Sequence, residues 1–180
     1  VDWLLDYMRA EIDCVVVTDH NSGDWIDRLK SALEDLNHSK PDGFRPLYVF
    51  PGVEISVNGG VHLLGVFNFE TSSQDIAALL GAVDFHGEPG SSQDVTEQAL
   101  SSVAEKIAKR GGIAIPAHID GPCGLLSISS TTVNQALNSE HVFAVEVMNP
   151  ANIHSGPYYE TDKEFAEVLG TDSHHPTGSE

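Results

Sequence analysis

The sequence predicts an α/β fold on a largely parallel sheet, a barrel or an open one, with its chemistry where the strands end. Two runs carry that expectation. Val15-Val-Val17 leads into Thr18-Asp19-His20-Asn21, and Glu167-Val-Leu169 leads into Gly170-Thr-Asp172-Ser-His174-His175-Pro176. A carboxylate and imidazoles directly after an apolar run, twice in one chain, look like two walls of a single metal site. The third observation is the alternation of strand-like and helix-like stretches between them.

The elements follow in order. Leu4, Leu5, Tyr7 and Met8 suit one face of a helix ending near Ala10, and residues 12–17 read as a β-branched buried strand. Asn21 or Ser22 can cap a helix whose apolar side is Trp25, Ile26, Leu29, Leu33 and Leu36. A polar loop with three prolines and glycines spans 38–46 and precedes a strand over 47–50. Strands over 53–57 and 61–67 flank Asn58-Gly59-Gly60, a hairpin signal. Ser72 with Asp75 opens a helix bearing Ile76, Leu79, Leu80 and Val83. Asp94 with Glu97 resembles a second capping box, for a helix carrying Leu100, Val103 and Ile107 that ends at Gly111-Gly112. Then come a strand over 113–116, a Gly/Ser-rich loop over 120–130, a helix over 131–137 and a strand over 142–147. Pro157 starts a helix expected to run through 158–167, and 168–170 is the last strand.

The 180 residues, 41% of them apolar, fit one domain over 1–180 with a core of its own. Nine basic against 27 acidic residues leave a net charge of −18. That opposes broad contact with a nucleic-acid backbone or an anionic membrane surface, so a nucleic-acid duplex is not an expected partner. Cys14 and Cys123 are too few for a disulfide framework, which points to the cytoplasm, and Cys14 is expected in the core. No apolar run approaches the ~20 residues of a membrane span. The first residue is not Met, and the chain is expected to be an N-terminally incomplete piece of its natural protein.

Chemistry-bearing residues recur after the strands: Asp19 and His20, then Glu54, His62, His118, Glu146 with Asn149, and finally Asp172, His174 and His175. In a parallel α/β fold the C-terminal strand ends share one face, so residues remote in sequence can converge there. Imidazole and carboxylate without thiolate suit Zn²⁺, Mn²⁺ or Fe²⁺. Six ligand candidates exceed the need of one tetrahedral ion, so two or three ions are expected. No Gly-rich phosphate loop or Walker lysine is present, so ions would bind a phosphate. Taken alone, His62 between apolar neighbours reads as an interior histidine, and Glu146 between Val145 and Val147 reads equally as a structural hydrogen-bonding residue or as a site residue. His38, His86 and His141 read as surface histidines, whereas His154 can border the cleft.

Thr18-Asp-His-Asn21, Gly52-Val-Glu54, Val61-His-Leu-Leu64, Ala117-His118, Val145-Glu-Val-Met-Asn149 and Gly170-Thr-Asp-Ser-His174 together resemble the PHP (polymerase and histidinol phosphatase) family across almost the whole chain. The resemblance implies a distorted TIM-like (β/α)7 barrel of the PHP type. It implies a hydrolase, a phosphoesterase with two or three divalent metal ions (Mn, Zn, Fe or Mg) at the strand C-termini. By motif position it makes His20, Glu54, His62, His118, Asp172 and His174 metal ligands, with Asp19 orienting a ligand imidazole. His175 is a candidate for contact with phosphate, and Asn21, Asn149 and His154 for contact with substrate. The family's first motif, His-x-His on its first strand, has no counterpart, so the barrel is expected to lack that strand here. The resulting expectation is hydrolysis of a phosphomonoester or small nucleotide by a metal-activated water. The alternatives are a non-catalytic or regulatory module of a larger ATPase- or polymerase-like protein, and a metal-dependent hydrolase of C–N bonds.

Overall fold

A computed structural model describes residues 2–153, 156–170 and 172. The chain forms α1 (Asp2–Arg9), β1 (Cys14–Val17), α2 (Ile26–Ser39), β2 (Tyr48–Val57), β3 (Val61–Val66), α3 (Ser73–Ala82) and α4 (Leu100–Ala108). It continues through β4 (Ile113–Pro116), α5 (Ser130–Leu137), β5 (Ala144–Val147), α6 (Pro157–Glu160) and β6 (Ala166–Leu169). No helix among the described residues is long and apolar enough to cross a membrane.

This is a mixed α/β fold. Four strands pair in the order β1-β2-β3-β4, and β5 pairs with β6. A single parallel bridge, Ala114 to Val142, ties β4 to the segment entering β5. The outer strands β1 and β6 do not pair among the described residues, so no closed barrel is formed by them. The expectation of a largely parallel sheet needs correction as well. β1 is parallel to β2 and β5 to β6, but β2, β3 and β4 are antiparallel neighbours. The tight turn at residues 58–60 dictates this, because a short hairpin can only join antiparallel strands. Consequently His62 sits at the start of β3, yet on the same sheet edge as the C-terminal ends of β1, β4 and β5.

Period-two alternation sorts β2 into two faces. Val53, Ile55 and Val57 are fully buried and pack with Leu63, Ile76 and Ile107 into the main core. Gly52, Glu54 and Ser56 face the other way. A smaller core joins Leu4 and Met8 of α1 to Leu36, Leu47 and Val49, with Val15 and Val17 packed against it. Because β1 is an edge strand covered by helices on one side only, Cys14 and Val16 are exposed, and Cys14 is not the core residue expected of it.

Other departures have local causes. Residues 47–50 and 53–57 belong to one strand, because Pro51 needs no ladder N–H and Gly52 tolerates a close approach. A Cβ on Gly52 would lie 2.7 Å from Thr18 Cγ2 and 2.9 Å from the Val17 carbonyl oxygen. Asp94 does not cap α4: its carboxylate accepts the Glu88 N–H at 2.8 Å, and the helix begins only at Leu100. Nor does Asn21 cap α2, whose N-cap is Trp25 without a side-chain bond. The helix at Pro157 stops at Glu160, where Thr161 turns extended (φ −76°, ψ 140°), and beyond it Lys163 Nζ donates to the Ser139 carbonyl at 2.6 Å and to that of Val142. The Ser72–Asp75 capping box is present, with Ser72 accepting the Asp75 N–H at 3.2 Å and Asp75 the Ser72 N–H at 2.8 Å. Ser72→Ala is expected to lower stability by about 1 kcal/mol, read as a shift in the urea midpoint.

Candidate metal centre

The sheet register assembles the site. Beyond Val17 the chain keeps pairing with β2: Glu54 N–H donates to the Asp19 carbonyl at 3.0 Å, and Asn21 N–H donates to the Glu54 carbonyl at 2.7 Å. This bridge sets His20 directly beside Glu54. On the other side, His62 pairs with Ser56, one pleat from Glu54, so both side chains leave the same face. His118 arrives past the end of β4, where Ala117 N–H donates to the His62 carbonyl at 3.0 Å.

Glu54 is the hub. Its Oε1 lies 2.7 Å from His62 Nδ1 and 3.3 Å from His118 Nε2, and its Oε2 lies 3.8 Å from His20 Nδ1. His62 Nδ1 and His118 Nε2 are themselves 3.2 Å apart. Glu54, His62 and His118 are buried, and His20 is partly so. The ligand atoms of His20, Glu54 and His62 all fall within 4.8 Å of one another, so the three can hold a metal ion. Donors about 2.1 Å from a tetrahedral ion stand about 3.4 Å apart, so the three lie within side-chain adjustments of about 1.4 Å of ligating separations. Two imidazole nitrogens aimed at one carboxylate oxygen form a donor set that a cation satisfies, and the chemistry fits a borderline divalent ion.

The charges agree. Burial pushes the Glu54 carboxyl up, but hydrogen bonds from His118 and His62 and the charge of His20 outweigh it and hold the group down at about 2. Burial likewise pulls His118 down, but its bond to Glu54 and the charges of Glu54, Asp172 and Glu146 win and raise it. Burial raises the Asp19 carboxyl, opposed by His20 beside it and reinforced by Asp24. Burial also raises Glu146, with Glu54 and Asp172 adding to the effect and His118 opposing it.

Asp172 is exposed and lies within electrostatic range of His118 and Glu146, so the last strand delivers its carboxylate to the same edge. Three of these strand-end residues take left-handed backbone: Asn21 (φ 46°), His118 (φ 29°) and Asp172 (φ 49°). Such conformations cost free energy and cluster where a site dictates the backbone. His154, His174 and His175 lie outside the described residues.

Asn21, expected to touch substrate, is fully buried. Its Nδ2 donates to the carbonyls of Ser91 (2.8 Å) and Asp94 (3.0 Å) and to Ser56 Oγ (3.3 Å), while its Oδ1 accepts the Ser56 N–H at 3.1 Å. It clasps the loop before α4 onto the sheet and has no face left for a ligand. Asn149 is exposed, with its side-chain oxygen turned back to the Ala151 N–H at 3.0 Å. The sequence reading missed Asp120, whose carboxylate accepts the N–H groups of Met148 (2.8 Å) and Asn149 (2.9 Å) and so shapes the loop after β5. Its only signal was its place two residues after His118.

No protein-family model matches the chain, and no curated protein matches it. Solved structures do. The lesion-specific endonuclease PfuEndoQ from Pyrococcus furiosus superposes with a TM-score of 0.61 at 16% identity, over 96% of this chain and 43% of that one. Endonuclease Q in complex with a 27-mer duplex carrying an abasic lesion at the active site gives 0.58 at 16% identity, over 82% of this chain and 37% of that one. The chain thus spans less than half the length of either, and what it shares with that part of each is its mixed α/β fold.

Proposed function

We propose that the chain is one metal-holding domain, a portion of a distorted PHP-type (β/α)7 barrel, and that it hydrolyses a phosphoester, a phosphomonoester or small nucleotide. The single observation that carries this is the buried Glu54 carboxylate shared by His62 and His118 with His20 beside it. His20, Glu54, His62 and His118 would hold the ions on the sheet face, Asp172 would close the site from β6, and His174 is a further ligand candidate by its sequence motif alone. Divalent ions bound there supply activation of a water and neutralisation of the phosphoryl oxygens. The chain's own residues orient its parts. Asp19, partly buried beside His20, steadies that imidazole. The clasped loop at 86–94 is tied beside His20, whose carbonyl accepts the Gly90 N–H at 2.8 Å.

Because the two similar structures are of endonucleases, a phosphodiester is a second substrate class to test beside the phosphomonoester. The net charge of −18 weighs against a long duplex. The test is hydrolysis of p-nitrophenyl phosphate and bis-p-nitrophenyl phosphate by the full chain with Mn²⁺ and with EDTA. Turnover that needs the metal and is lost in Asp172→Asn is expected. Turnover indifferent to metal and to Asp172 would overturn the metal-dependent reading, and none with any divalent ion would leave the non-catalytic module as the better one.

A further inference from the structure

Pairing of β5 with β6 sets Glu146 beside Val168, on the face opposite the buried Val145 and Val147. From there its carboxylate reaches the end of β4, where Oε2 accepts the backbone N–H of His118 at 2.9 Å. Its own carbonyl oxygen accepts the next N–H, that of Ile119, at 2.8 Å. One residue therefore takes both N–H groups of the corner at which β4 stops. The His118 carbonyl is tied as well, accepting the Gly121 N–H at 2.7 Å.

The backbone at that corner is unusual. His118 has φ of 29°, a conformation a non-glycine residue keeps only when its surroundings impose it. It is also the corner that aims Nε2 at Glu54 Oε1, 3.3 Å away, and at His62 Nδ1, 3.2 Å away. The last strand makes room for the carboxylate that holds it: a Cβ on Gly170 would collide with Glu146 Oε1. A carboxylate placed near Glu54 and Asp172 is electrostatically unfavourable, and a charge-assisted bond to a backbone N–H is the compensation it receives.

We propose that Glu146 is a positioning residue: it sets the backbone of His118, and through it the imidazole that completes the Glu54–His62 cluster, without being a ligand itself. This rests on the reading of that cluster as a metal centre. Two measurements on the full chain test it: calorimetric titration with Mn²⁺, and NMR of the imidazole C–H signals in the metal-free protein, those of His118 being identified by their loss in His118→Ala. Glu146→Ala is expected to shift the His118 signals and to weaken Mn²⁺ binding about 10- to 100-fold, the range for groups that orient ligands. Glu146→Gln, whose side-chain oxygen can accept the same N–H, is expected to stay within about threefold of the parent. Gly170→Ala, which pushes the carboxylate aside without removing it, should shift the same signals. In a His118→Ala background, Glu146→Ala should add no further loss.

The proposal is overturned if Glu146→Ala moves neither readout, or if Glu146→Gln loses as much affinity as Glu146→Ala, because charge rather than the hydrogen bond would then matter. Should Glu146→Ala fail to fold, Gly170→Ala and Glu146→Gln decide by the same criteria. Failure of the metal-centre reading looks different. Glu54→Gln would then leave Mn²⁺ binding unchanged, while the His118 signals would still report on Glu146.

Discussion

Glu54→Gln is expected to abolish high-affinity Mn²⁺ binding, a loss of more than about 100-fold, beyond the range for residues that only orient a ligand. Glu54 is the anionic member of the cluster: both its oxygens face imidazole nitrogens, at 2.7, 3.3 and 3.8 Å. The amide keeps the shape and a hydrogen-bonding oxygen but lacks the charge that would balance an ion. Calorimetry reads the loss, and circular dichroism checks that the fold survives. A Glu54→Gln chain that binds Mn²⁺ as tightly as the parent would remove the cluster from the metal-binding account altogether.

The same residue sets a pH signature in the metal-free chain. The Glu54 carboxyl is held at about 2 against its ordinary 4.5. A group depressed on folding contributes stability that is fully present above its unfolded value, here about pH 4.5, and that is lost as pH falls toward about 2. His118 has the opposite sign. It is raised above its ordinary 6.5, so its contribution is present below pH 6.5 and is lost as pH rises through the folded-state value. The combined contribution of these two groups to urea resistance in the metal-free protein should therefore be greatest between about pH 4.5 and 6.5. Mn²⁺ binding runs the other way. Ligation needs neutral imidazole, so affinity should begin to fall on acidification at a pH above 6.5, where His118 takes up its proton. A urea midpoint that is flat across pH 4 to 8 would contradict the linkage.

Asn21→Ala carries the largest expected effect on stability. The side chain makes four buried or partly buried hydrogen bonds, to Ser56 twice and to the carbonyls of Ser91 and Asp94. Truncation leaves the Ser56 N–H and those carbonyls without their partner, and it places alanine at φ 46°, which asparagine tolerates better. Each buried group left unmet costs about 1–3 kcal/mol, so a loss of about 3–4 kcal/mol is expected by urea unfolding. The 86–94 loop should become the first site of limited proteolysis. A loss below about 1 kcal/mol with an intact loop would show that the clasp is not what holds it.

His20, Glu54 and His62, the group that could hold a metal ion, were all candidates in the sequence. Asp19-His20 and Asp172 stood out because a carboxylate follows an apolar run at each. Glu54 and His62 were legible as ligand candidates only through the ordered set, since each alone has a bland explanation. The fold class was legible from β–α alternation, and the hairpin from Asn58-Gly59-Gly60. The strand directions were misread in the middle of the sheet, because alternation with helices was taken to imply parallel pairing where a hairpin intervenes. Asn21 was misassigned because a polar residue next to a ligand looks like a substrate contact; its partners at Ser56, Ser91 and Asp94 are 35 to 73 residues away.

What the sequence determined by itself is local: which runs form strands, where α3 is capped, where a turn must fold back, and which residue types stand at strand ends. Those follow from short-range sterics, hydrogen-bonding capacity and side-chain periodicity. Only the tertiary structure decided that His20, Glu54, His62 and His118 meet, that Cys14 lies on an open edge, and that Glu146 holds the corner of His118. These depend on sheet order and register, which are settled by burying Val53, Ile55 and Val57 against the helices. Once that face is buried, period-two alternation leaves Glu54, and His62 one pleat away, no direction but the site.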